Sequence, residues 1–180
     1  NVTPSTFTVN QSGDSTYTGI LGGPGTHENN FSLVKTGAGV LTLTGVNTYT
    51  GNTSIDGGTL TLGSSGSMAN SGTIKVANGA TFNVSAVTGG WTLGGNQTLG
   101  GSGTILGNVT FSGNSSFNVS DIIASGTPLS MASGSIITFG SGFGIANLTG
   151  VVNWDALNLS TPYTLISTNQ TFTSGDIANF

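Results

Sequence analysis

The groups in this sequence that could do acid–base, nucleophilic or metal chemistry are few. There is one histidine, His27, and there are six acids: Asp14, Glu28, Asp56, Asp121, Asp155 and Asp176. Cysteine and arginine are absent. A Ser-His-Asp hydrolase would have to use His27, which lies in the polar run Gly25-Thr26-His27-Glu28-Asn29-Asn30 with no Gly-x-Ser-x-Gly elbow anywhere in the chain. That is the setting of a solvated loop. A zinc centre needs three or four ligands, and neither an HExxH helix nor a Cys/His cluster is present. Calcium can be held by carbonyls and scattered Asp, but the glycine- and aspartate-rich nonapeptide that does this repetitively is missing. Hydrolytic chemistry therefore reduces to a carboxylate pair, either sharing one proton or flanking a glycosidic bond about 5–9 Å apart. Asp14 and Asp56 are the candidates. Each sits among turn-forming residues, where a short acid ordinarily caps backbone or faces water. No cofactor and no metal are called for.

The rest of the composition narrows the function further. Charged residues make up 4% of the 180 positions, against about 25% in ordinary soluble domains. The surface must therefore stay wet through hydroxyls and amides. With 35% hydrophobic residues, many of them β-branched, the chain reads as folded rather than disordered. A net charge of −4, with Lys35 and Lys75 the only basic side chains besides His27, does not neutralise a phosphate backbone or seek an anionic membrane. Nucleic acid is not an expected partner, and no apolar run reaches the ~18 residues of a membrane helix, so membrane insertion is not expected of this segment. The lack of cysteine fits an exported protein.

The elements that must position these groups are short strands. Period-two alternation recurs in Thr42-Leu43-Thr44, Thr59-Leu60-Thr61-Leu62, Ile74-Lys75-Val76, Phe82-Asn83-Val84, Val109-Thr110-Phe111 and Phe117-Asn118-Val119. Glycine-bearing turns such as Asn78-Gly79 separate them. The chain also repeats itself: residues 72–84 read GTIKVANGATFNV, residues 107–119 GNVTFSGNSSFNV and residues 127–139 TPLSMASGSIITF. One strand–turn–strand unit cannot bury its apolar rows alone, whereas stacked copies can. The expected fold is all-β, a parallel β-helix or solenoid over residues 1–143, with an antiparallel sandwich as the alternative topology. In the solenoid, Ile74, Val109 and Leu129 are expected to be equivalent and buried, with Lys75, Thr110 and Ser130 facing out. From about Gly144 bulkier groups appear, including Trp154, Tyr163 and Phe172. Residues 144–180 are expected to be a C-terminal β cap over the last coil.

One stretch is more specific. Residues 33–62 carry Leu33, Lys35, Gly37, Gly39, Leu41, Leu43, Gly45, Asn47, Tyr49, Gly51, Thr53, Gly58, Thr59 and Leu60 in the order Leu-x-Lys-x-Gly-x-Gly, Leu-x-Leu-x-Gly, Asn-x-Tyr-x-Gly-x-Thr, Gly-Thr-Leu. This closely resembles the passenger-associated repeat of autotransporters. The resemblance implies a right-handed parallel β-helix and secretion to, or display on, the surface of a Gram-negative-type bacterium. It also implies a parent protein with a signal peptide and a membrane barrel, of which this chain is a piece. It brings no catalytic residue. A second likeness is slighter: Asp14-Ser15-Thr16 resembles the Asp-Ser/Thr-Gly loop of aspartic proteases, but Thr16 stands at the glycine position and no second copy occurs. The resulting expectation is a structural and adhesive passenger segment whose partners are glycoprotein, mucin or other copies of itself. The alternative is a small secreted carboxylate hydrolase acting on mucin or protein. Tyr17, Tyr49, Trp91, Trp154 and Tyr163 could stack on sugars where exposed.

Overall fold

Short alternating segments punctuated by glycine turns have too few residues to make helices, and pairing in register buries one face of every segment at once. The computed structural model, which describes residues 4–125, 127–140, 148–149 and 166–167, is built this way. Its strands are β1 (Ser5–Asn10), β2 (Ser15–Tyr17), β3 (Phe31–Thr36), β4 (Val40–Leu43), β5 (Thr53–Ile55), β6 (Thr59–Leu62), β7 (Thr73–Val76), β8 (Thr81–Asn83) and β9 (Trp91–Leu93). They continue as β10 (Thr98–Gly101), β11 (Thr104–Leu106), β12 (Val109–Phe111) and β13 (Ser116–Asn118). After the six-residue helix α1 (Ser120–Ser125) come β14 (Leu129–Met131), β15 (Ile137–Phe139), β16 (Leu148–Thr149) and β17 (Ile166–Ser167). The chain alternates between two sheets as far as β8 and takes in a third from β9 onward. The first runs β1-β3-β5-β7-β10-β13-β16, the second β2-β4-β6-β8-β11-β14-β17, and the third β9-β12-β15. Every strand pairing among the described residues is parallel, which makes a β-solenoid of about five turns and excludes the antiparallel sandwich.

Register turns the alternation into a core. Leu41, Leu60, Phe82, Ile105 and Met131 lie one above another across the second sheet. On the first sheet Leu33, Thr53, Ile74, Leu99 and Phe117 do the same. All ten are buried. Each large apolar side chain taken wholly out of water contributes about 1.5–3 kcal/mol, so a column of five anchors its sheet without any ion pair. Trp91 meets Phe82 edge-on at 4.9 Å, and Phe111 packs between Phe117 and Phe139, joining the third sheet to the other two.

The expected burial holds: Ile74, Val109 and Leu129 are buried, Lys75 is exposed, and Thr110 and Ser130 are half-exposed. The expected equivalence of the three copies does not. Ile74 is in register with Leu99 in the first sheet, Val109 with Trp91 and Ile137 in the third, and Leu129 with position 166 in the second. The three copies are the three corners of one kind of coil. Each is closed by the same turn, with Ala80 N–H donating to Ala77 C=O, Ser115 to Ser112 and Ser135 to Ala132, all at 3.0 Å. The physical reason is local. Every side–corner–side segment meets the same demand for an apolar row, a tight turn and a second apolar row, so neighbouring corners look alike whichever face they join.

Helix α1 interrupts the rhythm between the first and second sheets. Its start is fixed by Asn118 Oδ1, which accepts the Ser120 N–H at 2.9 Å, and Asp121 in its first turn suits the helix dipole. Within 144–180 the described residues are β16 and β17, which pair in parallel with β13 and β14 and carry both sheets one rung further. Trp154, Tyr163 and Phe172, on which the cap expectation rests, lie outside the described residues.

Candidate functional site

The motif over 33–62 spans β3 to β6, and its special residues all reach toward neighbouring coils. Strand β3 alternates so that Leu33 and Lys35 share the inward face. Lys35 is therefore fully buried, stacked between Val9 and Ile55. Its ammonium is not paired to a carboxylate at contact distance. Instead Nζ donates to the carbonyls of Thr36 (2.7 Å), Gly37 (2.9 Å) and Gly57 (3.2 Å), tying the corner of its own coil to the next. Burial pushes its pKa below the usual lysine value of 10.5, and the negative charge of Asp14 offsets part of that. The glycines around it let the corners touch. Gly37 has φ +72°, and a Cβ on Gly39 would stand 2.1 Å from the Gly13 carbonyl oxygen of the preceding coil.

The second half of the motif works through amides and hydroxyls. Asn47 is buried: its amide nitrogen donates to Gly45 C=O (3.0 Å) and Ser67 C=O (2.9 Å), while Oδ1 accepts from Leu21 N–H (2.9 Å). One side chain thus links three successive coils. Tyr49 is fully buried, its ring stacked 5.3 Å from Phe31 and its hydroxyl 2.6 Å from Thr53 Oγ1, which in turn lies 2.8 Å from Ser71 Oγ. Burial drives the Tyr49 pKa up to about 12 against the pull of its hydroxyl partners. Gln97 extends the same polar seam by donating to Met68 and Ser71 carbonyls. The seam is buried but satisfied, which is the condition under which polar groups specify a register instead of weakening a core.

The candidate acids are dispersed. Asp14 is exposed at the corner after β1 and accepts the Val40 N–H at 2.8 Å. Asp56 is exposed at the corner after β5 and accepts from Ser54 Oγ at 2.5 Å. The two corners are two rungs apart, roughly 10 Å along the axis, with the coil of Lys35 between them. Glu28 accepts from Gly25 N–H within its own loop, and His27 is exposed in that loop. Asp155 and Asp176 lie outside the described residues. Among the described residues no three His, Cys, Asp or Glu side chains gather as metal ligands, and no helix is long and apolar enough to cross a membrane, which says nothing of a β-barrel. Of the aromatic groups, Tyr49 and Trp91 are buried and Tyr17 is exposed.

The residue group that the sequence did not point to is Lys75 with Asp121. Their ion pair, at 3.0 Å, joins residues 46 positions apart. Only the rung count, β7 to β10 to β13, brings them together, so no local signal exists. In the sequence Lys35 stands out only as a motif position and a cation; the signal that could have placed it inward is its period-two phase with Leu33.

The description "passenger-associated-transport-repeat" belongs to the family model that matches residues 33–62, the stretch that forms β3 to β6. Among characterised proteins and solved structures, none matches the chain. Repeats of this kind occur in autotransporter passenger domains, which are secreted or surface-displayed. The repeat and the solenoid together fit a structural segment of such a passenger domain.

Proposed function

We propose that this chain is an exported, surface-displayed passenger segment with two roles, a stiff spacer and a contact surface for the glycans of glycoproteins such as mucin. The observation that carries the spacer role is the use of the motif's polar residues. Lys35, Asn47, Tyr49 and Thr53 are all committed to coil-to-coil contacts, so the repeat is machinery for stacking. What supports the contact role is the outer surface. Thr59, Thr81, Thr104 and Ser130 run in register up the second sheet beside Thr42, Thr61 and Asn83, giving ordered hydroxyls and amides with almost no charge. Such a surface hydrogen-bonds to sugar hydroxyls without electrostatic bias toward anionic or cationic partners. Among the described residues the carboxylates are dispersed, which does not favour a hydrolase.

The test is retention of the purified chain on immobilised mucin before and after enzymatic deglycosylation. Retention that disappears with the glycans is expected. No retention, or retention indifferent to the glycans, refutes the contact role.

A further inference from the structure

Helix α1 leaves the coil after β13 and folds back over the outer face of β10. Between the helix and the corner of the coil below lies a cleft of about 330 Å³, lined by Lys75, Ala77, Asn78, Ser102, Asp121 and Ala124. Register explains why there is room. On the outward row of the first sheet, Lys75 is followed one rung up by Gly100 and then by Asn118. A Cβ at Gly100 would come within 3.0 Å of Asn118; this row carries no side chain there, so the lysine stem passes over Gly100 and meets Asp121 on the helix that folds back over β10. Nζ lies 3.1 Å from Oδ1 and 3.0 Å from Oδ2, and the two side chains remain 49% and 38% exposed.

We infer that this cleft is a binding site for one neutral hexose unit of a glycan, recognised through a vicinal diol. The inference rests on the glycan-contact reading and gives it an address. An ammonium carries three donors and a carboxylate accepts only, so side by side they match a diol, one hydroxyl accepting from nitrogen while its neighbour donates to oxygen. The pair has no net charge, which removes any preference for acidic sugars. Asn78 offers an amide that both donates and accepts, Ser102 adds a hydroxyl to the lining, and the methyl groups of Ala77 and Ala124 provide apolar contact for the C–H face of a ring. The volume lies at the small end of the ~300–1,000 Å³ of small-molecule pockets, room for one ring. Without an aromatic platform the affinity is millimolar.

The experiment is an amide-resolved NMR titration of the full 180-residue chain with methyl β-D-galactopyranoside and with its 2,3-dideoxy analogue. Mucin retention is measured in parallel. Saturable shifts at Lys75, Asn78, Ser102 and Asp121 are expected with the galactoside and not with the dideoxy sugar, and Lys75→Met and Asn78→Ala should each weaken the Kd at least tenfold. Both positions are exposed, so folding is not at stake, and unchanged spectra elsewhere verify it. No saturable shift in the parent, or an unchanged Kd in both variants, overturns the site. If mucin is retained while the hexose leaves the cleft unshifted, the cleft is wrong and the broader reading survives. If the hexose titrates the cleft but mucin is not retained, the site stands and the glycoprotein role fails.

Discussion

Replacing Lys35 by methionine keeps a side chain of similar length in the core and removes only the ammonium. Three hydrogen bonds from a charged donor, at 2.7, 2.9 and 3.2 Å, are lost. At about 1.5–3 kcal/mol each they total roughly 4–9 kcal/mol. Against this stands the cost of keeping an ammonium out of water, several kcal/mol, which methionine relieves. The expected net loss for Lys35→Met is about 2–4 kcal/mol at pH 7. Lys35→Ala should lose about 2 kcal/mol more, because buried methylenes worth about 0.8 kcal/mol apiece go as well. The pH dependence has a definite sign. Burial holds the folded-state pKa below 10.5. Between that depressed value and 10.5 the unfolded chain binds more protons than the folded one, so parental stability rises with pH through this window. The methionine variant lacks the rise, and the gap between the two proteins should widen from pH 7 to pH 10.5. Tyr49 titrates in both proteins and cancels in the difference. Urea unfolding followed by tryptophan fluorescence (Trp91 and Trp154) and far-UV circular dichroism at both pH values measures it. A methionine variant as stable as the parent at pH 7 would show that the three carbonyl contacts do not outweigh desolvation, and a narrowing gap would refute the assigned sign.

Tyr49→Phe should cost about 1 kcal/mol at neutral pH through the lost hydroxyl contacts. The parental Tyr49, with its pKa raised from 10.0 to about 12, stays protonated when the unfolded chain does not, so the parent loses stability across that interval and the phenylalanine variant does not, as alkaline urea titrations will reveal. Gly39→Ala forces a methyl group onto the Gly13 carbonyl and should destabilise by about 3 kcal/mol in denaturant. Gly13→Ala, with nothing within 4 Å, should stay within about 0.5 kcal/mol, and equal effects would undo the close-packing account of the corner. Mucin and casein digestion across acidic and neutral pH should show no turnover by the parent, Asp14→Asn or Asp56→Asn. Activity abolished in a folded variant would restore the carboxylate hydrolase.

The sequence carried the alternation and therefore the inward rows: Ile74, Phe82, Val109 and Phe117 alternate with polar neighbours, and all four are buried. It also carried the motif that locates β3 to β6. Two things were hidden. Register was one, since the turns at Ala77, Ser112 and Ala132 solve the same local problem at three different corners and sequence similarity cannot say which. The other was any contact that depends on the number of rungs between residues. Lys75 and Asp121 meet because the coil between them presents Gly100, a fact that emerges only after register is known. The acids were legible as turn residues, and Asp14 and Asp56 occupy corners, but that they stand on separate rungs needed the sheet order.

Each inner strand of the first sheet is hydrogen-bonded to the strand before it and the strand after it in that sheet. Length is consequently a free parameter of this architecture. A coil spliced in or cut out moves everything beyond it by one spacing, about 4.8 Å, and leaves the packing elsewhere as it was. A globular core offers no such freedom, because any added element must find a place among all the others. Reach can therefore be tuned by duplication alone, while excursions such as α1 decorate the outside at chosen heights without disturbing the shaft that carries them.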